Sequence, residues 1–213
     1  MKTKNNKDLQ NISDEELDTP VITESIGGNK YTIEISDALV HPKQFSTVIK
    51  LLHSANALDF FEFHLMSCMG GCVETAERLA FAISKTQAMV HFIVTGSNDS
   101  AATRLILSAH SVEMAEDVTS LIHAGSMSNS GEFKEYRDHG KFVSDHHEAT
   151  IRRWYKDFLN EEEIVKVLHG SGVSLDRDGW LTRLLARRDS MLEDMELEEE
   201  LLPFQGKTGS KLH

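Results

Sequence analysis

The spacing of apolar residues switches repeatedly between a period of two and a helical period along this chain. Ile22, Ile26, Tyr31, Ile33 and Ile35 flank Gly27-Gly28-Asn29, a turn signal between two strands within residues 21–36. Over 42–57 the apolar Phe45, Val48, Ile49, Leu52 and Ala55 recur at helical spacing. Phe61, Phe63 and Leu65 then alternate with Glu62 and His64, the mark of a strand. Two glycines within 67–71 break that strand. Residues 73–85 return to helical spacing through Ala76, Leu79, Ala80 and Ile83, and 89–95 is a β-branched strand ending at Gly96.

The alternation continues. Residues 100–109 form a small-residue apolar segment suited to a tightly buried helix, and 111–114 and 118–122 read as short strands. Residues 132–159 are long, charged and helical in composition. Asn160 with Glu163 makes a capping-box start for a short helix that ends before Gly170. A last helix is expected over 181–195. Strands alternating with helices predict an α/β layered fold rather than a bundle or a sandwich. The organisation is one domain, 21–195, between a polar N-terminal arm, 1–20, and a mainly polar tail, 196–213, both expected to be flexible.

Charge narrows the function. The formal net charge is -12, from 34 acidic against 22 basic residues. A phosphate backbone or an anionic membrane needs clustered Lys and Arg, so neither nucleic acid nor membrane is the expected partner. No apolar run approaches the length of a membrane span, and the first residues carry no apolar stretch of the signal-peptide kind. The only cysteines, Cys68 and Cys72, make no disulfide framework, which points to a reducing compartment such as the cytoplasm.

Three segments carry candidate chemistry. Ser67-Cys68-Met69-Gly70-Gly71-Cys72-Val73 places a glycine pair between a strand and a helix, where backbone N–H groups can approach a ligand oxygen closely. Gly96-Ser97-Asn98-Asp99-Ser100-Ala101-Ala102 joins a strand to a helix and sets Ser100 near the helix N-terminus, which favours developing negative charge. Ser120-Leu121-Ile122-His123-Ala124-Gly125 ends an apolar strand on a histidine. Acyl transfer needs a hydroxyl, an imidazole to take its proton, and N–H donors for the oxyanion. Each segment alone is more often a turn, a cap or a structural histidine; their order and spacing raise the odds.

On these residues the chain resembles the proteolytic subunit of the Clp protease and its phage-encoded relatives. The family's Ser-Pro-Gly-Gly motif corresponds to Ser67 followed, after Cys68-Met69, by Gly70-Gly71. Its Gly-x-Ala-Ala-Ser motif corresponds to Gly96 through Ser100, and its Met-Ile-His motif to Leu121-Ile122-His123. Gly71 precedes Ser100 by 29 positions and His123 follows it by 23, close to the family's intervals. The segment Phe158-Leu159-Asn160-Glu161-Glu162-Glu163 is also similar to phage members. The resemblance spans residues 30–190. It implies a Clp protease/crotonase-like fold of repeated strand-strand-helix units, with Ser100 as nucleophile and His123 as general base. The N–H groups of Gly71 and Ala101 would form the oxyanion hole. It further implies protein or peptide substrates, no cofactor, and assembly into stacked rings through the long helix, with Phe133, Tyr136, Phe142 and Trp154 buried against another subunit. An ATP-driven unfoldase would feed substrate, and a phage protein of this kind would work in the host cytoplasm.

The sequence also departs from the family. Asp99 stands beside the nucleophile where alanine is usual, and its carboxylate could oppose oxyanion formation unless it points away. Ala101 replaces a methionine. The family's third catalytic residue, an aspartate, falls at Val167 through one alignment and at Ser174 through another. Asp176 and Asp178 lie nearby on a glycine-flanked segment, and Asp178 is the expected third member. The family's Glu-Ala motif before a Gly-Leu-Val-Asp strand is missing. These departures keep an alternative open: a catalytically silent homologue serving as a structural or regulatory ring. Cys68, Cys72 and His64 read as loop and strand residues rather than metal ligands, because no second ligand pair has convincing spacing. His146-His147 reads as a solvated helix face.

Overall fold

The computed structural model describes residues 18–25, 27–125 and 133–201, with the main chain alone for 133–139 and 194–201. Strands β1 (Val21–Ser25) and β2 (Asn29–Ile35) pair antiparallel around the glycine turn read in the sequence. Strands β3 (Phe60–Met66), β4 (Met89–Thr95) and β5 (Ser111–Met114) then add one after another, each parallel to its neighbour. The product is a mixed sheet of five strands in the order β1-β2-β3-β4-β5. Parallel neighbours need a crossover, and three helices supply it. Helix α1 (Ser46–Ser54), entered through a 3-10 turn at Pro42–Phe45, links β2 to β3; α2 (Val73–Lys85) links β3 to β4; α3 (Ala101–Ile106) links β4 to β5. The protein is α/β.

The periods seen in the sequence are the division between core and surface. Ile33, Phe63 and Phe92 lie in register across β2, β3 and β4 and are fully buried. The Phe63 and Phe92 rings stack with centroids 4.7 Å apart, as do Tyr31 and Phe61 at 4.6 Å. Alternate residues point the other way, where Glu62 meets Lys30 at 2.9 Å and His64 at 3.0 Å. Helix α2 buries Ala76, Leu79, Ala80 and Ile83, the residues that set its period, and packs against both α1 and α3. Helix α3 is buried along nearly its whole length.

A second, two-stranded antiparallel sheet joins β6 (Thr119–Ile122) to β7 (Val173–Asp176). Between them run α4 (Phe133–Trp154) and α5 (Glu161–Leu168), and α6 (Arg177–Leu201) follows β7. The capping box forms: Asn160 Oδ1 accepts the Glu163 N–H at 2.9 Å, and Glu163 Oε2 accepts the Asn160 N–H at 3.1 Å.

Three expectations change. Strand β7 adds to the expected elements: Val173-Ser174-Leu175-Asp176 alternates over only four residues, of which Leu175 alone is buried. The last helix begins at Arg177 instead of 181, so Asp176 and Asp178 do not lie on a loop. Asp176 ends the strand, where its Oδ1 accepts the Gly179 N–H at 2.9 Å, and Asp178 sits in the first helical turn. Trp154, expected against another subunit, is 4% exposed in the chain's own core beside Tyr155, while Phe142 remains 66% exposed. Phe133 and Tyr136 are among the residues described by main chain alone, residues 1–17 and 202–213 of the two tails lie outside the described residues, and α6 carries the main chain as far as Leu201. Among the described residues no helix is long and apolar enough to cross a membrane.

Candidate active site

Strand β4 ends at Thr95, and residues 96–100 carry the chain into α3. Gly96, at φ 65°, takes the left-handed backbone that favours glycine, and a Cβ there would force the Ser67 hydroxyl, 2.2 Å away, to rotate aside. Asn98 is fully buried and spends its amide on the surrounding loops. Its Oδ1 accepts the Cys68 N–H at 3.0 Å, and its Nδ2 donates to the Thr95 carbonyl at 2.8 Å and the Gly96 carbonyl at 3.3 Å. Ser100 then takes φ 56°, ψ -126°. A residue with a side chain held in that region costs on the order of 1–3 kcal/mol and persists only where its surroundings over-determine it. They do so here. The Ser100 N–H donates to the Leu121 carbonyl at 2.8 Å, and Thr103 Oγ1 donates to the Ser100 carbonyl at 2.6 Å. With the Thr103 proton committed, the Tyr155 hydroxyl 2.6 Å away is the donor of that pair. Burial pushes the Tyr155 hydroxyl up to about 12, so it keeps its proton. A serine on such a sharp strand-to-helix turn presents its hydroxyl outward.

The glycine pair lies against this turn. A Cβ at Gly70, φ 78°, would stand 2.5 Å from the Asp99 carbonyl oxygen and 2.8 Å from the Ala101 nitrogen. Gly71, φ 127°, backs onto Leu39, whose carbonyl would stand 2.3 Å from any Cβ there. Leu39 bridges this segment by donating to the Gly70 carbonyl at 2.8 Å and accepting the Cys72 N–H at 2.6 Å. Those bonds use the groups flanking Gly71, so its own N–H faces away from Leu39. Neither the Gly71 nor the Ala101 N–H has a hydrogen-bond partner among the described residues. Helix α3 has only six residues, so these individual N–H groups, rather than a long helix dipole, are the local donors.

His123 follows β6 directly and is half-buried. Its Nδ1 lies 2.8 Å from the Ala124 carbonyl oxygen, which can only accept, so the proton of the neutral ring sits on Nδ1 and Nε2 carries the free lone pair. Gly172 packs against this strand end, where a Cβ would stand 3.1 Å from the Ile122 carbonyl oxygen and 3.6 Å from His123 Cβ. Main-chain bonding couples serine to histidine: Ser100 is anchored on Leu121, two residues upstream of His123. No hydrogen bond joins Ser100 Oγ to the imidazole in this structure.

The expected third member does not join them. The Asp178 side chain is 87% exposed and its partner is Arg177 at 3.4 Å, while Asp176 is engaged by Gly179. The physical reason is the early start of α6. Two residues along a helix differ by about 200° in direction, so with Trp180 turned into the core Asp178 faces solvent. Trp180 is fully buried, its Nε1 donates to Ser120 Oγ at 3.0 Å, and its ring lies 4.7 Å from Phe158. Val167, one position suggested for the acid, is a fully buried apolar residue, and Ser174, the other, pairs with Leu121 in the β6–β7 ladder.

Neighbouring residues complete the site. Cys68 is buried and its thiol is pushed up to about 11 by that burial, so it packs as a protonated side chain. His147 is half-buried rather than solvated. A Cβ on Gly125 would lie 3.7 Å from its Cε1, which places α4 against the loop after His123, and burial lowers its pKa. Asn98, Thr103 and Tyr155 escaped the sequence reading, since a loop amide, a helical threonine and a core tyrosine carry no local sign of their partners. No protein-family model matches this chain, and no curated protein matches it.

Proposed function

We propose that the chain is a subunit of a ring-shaped, Clp-type serine endopeptidase with a Clp protease/crotonase-like fold. The observation that carries this reading is Ser100, held at positive φ on a strand-to-helix turn and anchored to the strand that leads directly into His123. In this mechanism Ser100 Oγ attacks the peptide carbonyl carbon as His123 Nε2 takes its proton. The N–H groups of Gly71 and Ala101 stabilise the oxyanion. Collapse breaks the C–N bond, and the amine leaves with the proton from His123. Water, deprotonated by the same nitrogen, then attacks the ester and releases the acid and the serine hydroxyl. The Ala124 carbonyl holds the imidazole tautomer that a triad aspartate holds elsewhere, without its full charge. In this reading the subunit stacks in rings, receives unfolded protein from an ATP-driven unfoldase and works in the cytoplasm.

A fluorophosphonate probe tests the proposal. It should label Ser100 and no other serine, and labelling should vanish in Ser100→Ala. In His123→Ala it should fall by about 10³-fold or more, the order by which loss of a catalytic base lowers such reactions. An unlabelled Ser100, or labelling unchanged without His123, overturns it. A second reading, a catalytically silent ring, is favoured by one observation: among the described residues no carboxylate is hydrogen-bonded to His123. It expects intact rings with no labelling and no peptide hydrolysis.

A further inference from the structure

We propose that Asp99 is a positioning residue whose carboxylate stands in for a main-chain carbonyl and so sets Ser100 and His123 in register. The inference rests on the reading of those two residues as the reacting pair.

Residues 96–100 run beside β6 as a short parallel pairing, centred on a bridge between Ser97 and Thr119. Its bonds follow the parallel ladder. The Thr119 N–H donates to the Gly96 carbonyl at 3.1 Å, the Asn98 N–H to the Thr119 carbonyl at 2.8 Å, and the Ser100 N–H to the Leu121 carbonyl at 2.8 Å. The same alternation calls for one more bond, from the Leu121 N–H to the carbonyl of Asn98. In its place the Leu121 N–H donates to Asp99 Oδ1 at 2.7 Å. Here the chain is turning into the positive-φ conformation of Ser100, and a side-chain oxygen fills the position of the main-chain one.

Asp99 is tied on three sides. Its own N–H donates to the Cys68 carbonyl at 2.9 Å, and Ser97 Oγ donates to its Oδ2 at 3.2 Å. Both carboxylate oxygens are therefore engaged by donors other than Gly71 and Ala101. The side chain does not compete for the oxyanion position; it braces the serine turn against Leu121, two residues before His123. A bond to an ionised acceptor is roughly twice as strong as a neutral one, and a misplacement of about 1 Å at a reacting pair can cost 10²-fold in rate.

The test compares Asp99→Ala, which removes the acceptor, with Asp99→Asn, which keeps an oxygen at the same place. The readouts are the rate of fluorophosphonate labelling at Ser100, kcat and KM for a peptide substrate, and hydrogen exchange of the Leu121 amide by residue-resolved mass spectrometry. Asp99→Ala should slow labelling and kcat by on the order of 10²-fold with KM nearly unchanged. Leu121 exchange should speed up at least tenfold, whereas Asp99→Asn should stay close to the parent in all three. Parent-like labelling or parent-like Leu121 exchange in Asp99→Ala overturns the proposal. If Asp99→Ala does not fold, Asp99→Asn decides: loss of labelling in a folded Asn variant refutes the role of the acceptor. If the parent protein itself is not labelled, the peptidase reading fails, and Leu121 exchange still reports whether Asp99 holds the strand.

Discussion

Gly70 and Asp178 bracket the range of single-residue effects at this site. Gly70 has positive φ and faces the Asp99 carbonyl and the Ala101 nitrogen too closely for a methyl group, with backbone on both sides and no flexible side chain to yield. Gly70→Ala should therefore destabilise the fold by about 1–3 kcal/mol. It should also displace the Ala101 N–H, lowering Ser100 labelling by on the order of 10²-fold, the usual effect of losing an oxyanion donor. A melting curve and a labelling time course check both parts. Asp178→Asn is the opposite case. An exposed carboxylate 3.4 Å from an arginine contributes at most a fraction of a kcal/mol, so the variant should match the parent in stability and peptide hydrolysis. A loss of more than about tenfold in kcat would mean that Asp178 reaches His123 during turnover.

Helices α5 and α6 are joined by a paired charge with a defined pH dependence. Arg183 donates to both oxygens of Glu163, at 2.7 and 2.8 Å, and also to the Phe158 carbonyl at 3.1 Å. The Arg183 hydrogen bonds hold the Glu163 carboxyl below its ordinary value, with burial opposing them. A carboxylate depressed on folding stabilises the protein fully above its unfolded pKa of about 4.3, and that contribution fades as pH falls through the lower, folded value. Glu163→Gln should melt lower than the parent near neutral pH by the equivalent of about 1–3 kcal/mol. The gap should close as pH drops below about 4; melting both proteins across that range checks the sign. This junction matters because α6 carries Trp180, whose hydrogen bond to Ser120 fixes β6 from behind.

The whole molecule leaves Leu58, Met69, Phe81, Met89 and Phe142 exposed. For the ring proposed above, Phe142 on α4 is the residue to test, since Trp154 at the end of the same helix is already buried within the chain. The parent should sediment as a large multiple of the protomer mass. Phe142→Glu should split stacked rings into single ones, because burying an unpaired carboxylate in a contact is costly. A parent that remains monomeric across a wide concentration range would contradict the assembly.

Local order is legible in the sequence. The periods over 61–65 and 73–85 mark β3 and α2 together with the residues they bury, and Asn160 with Glu163 marks the start of α5. These features depend on neighbours a few residues apart, and such spacing is written directly in the chain. The candidate pair, Ser100 and His123, was legible only through the order and spacing of motifs. Their coupling through Leu121 joins residues more than twenty positions apart. Other features belonged to tertiary structure alone. Strand β7 forms against the edge that β6 offers, and its own signal is one short alternation, Val173 and Leu175 with Ser174 and Asp176. Asp178 points to solvent because Trp180 takes the buried side of α6. Asp99, which beside a nucleophile reads as a disturbance, becomes a brace once the Leu121 N–H arrives at its carboxylate. A sequence specifies which groups must be buried or bonded, but the partner of a polar side chain is decided when distant segments meet, because a hydrogen bond depends on distance and direction in space.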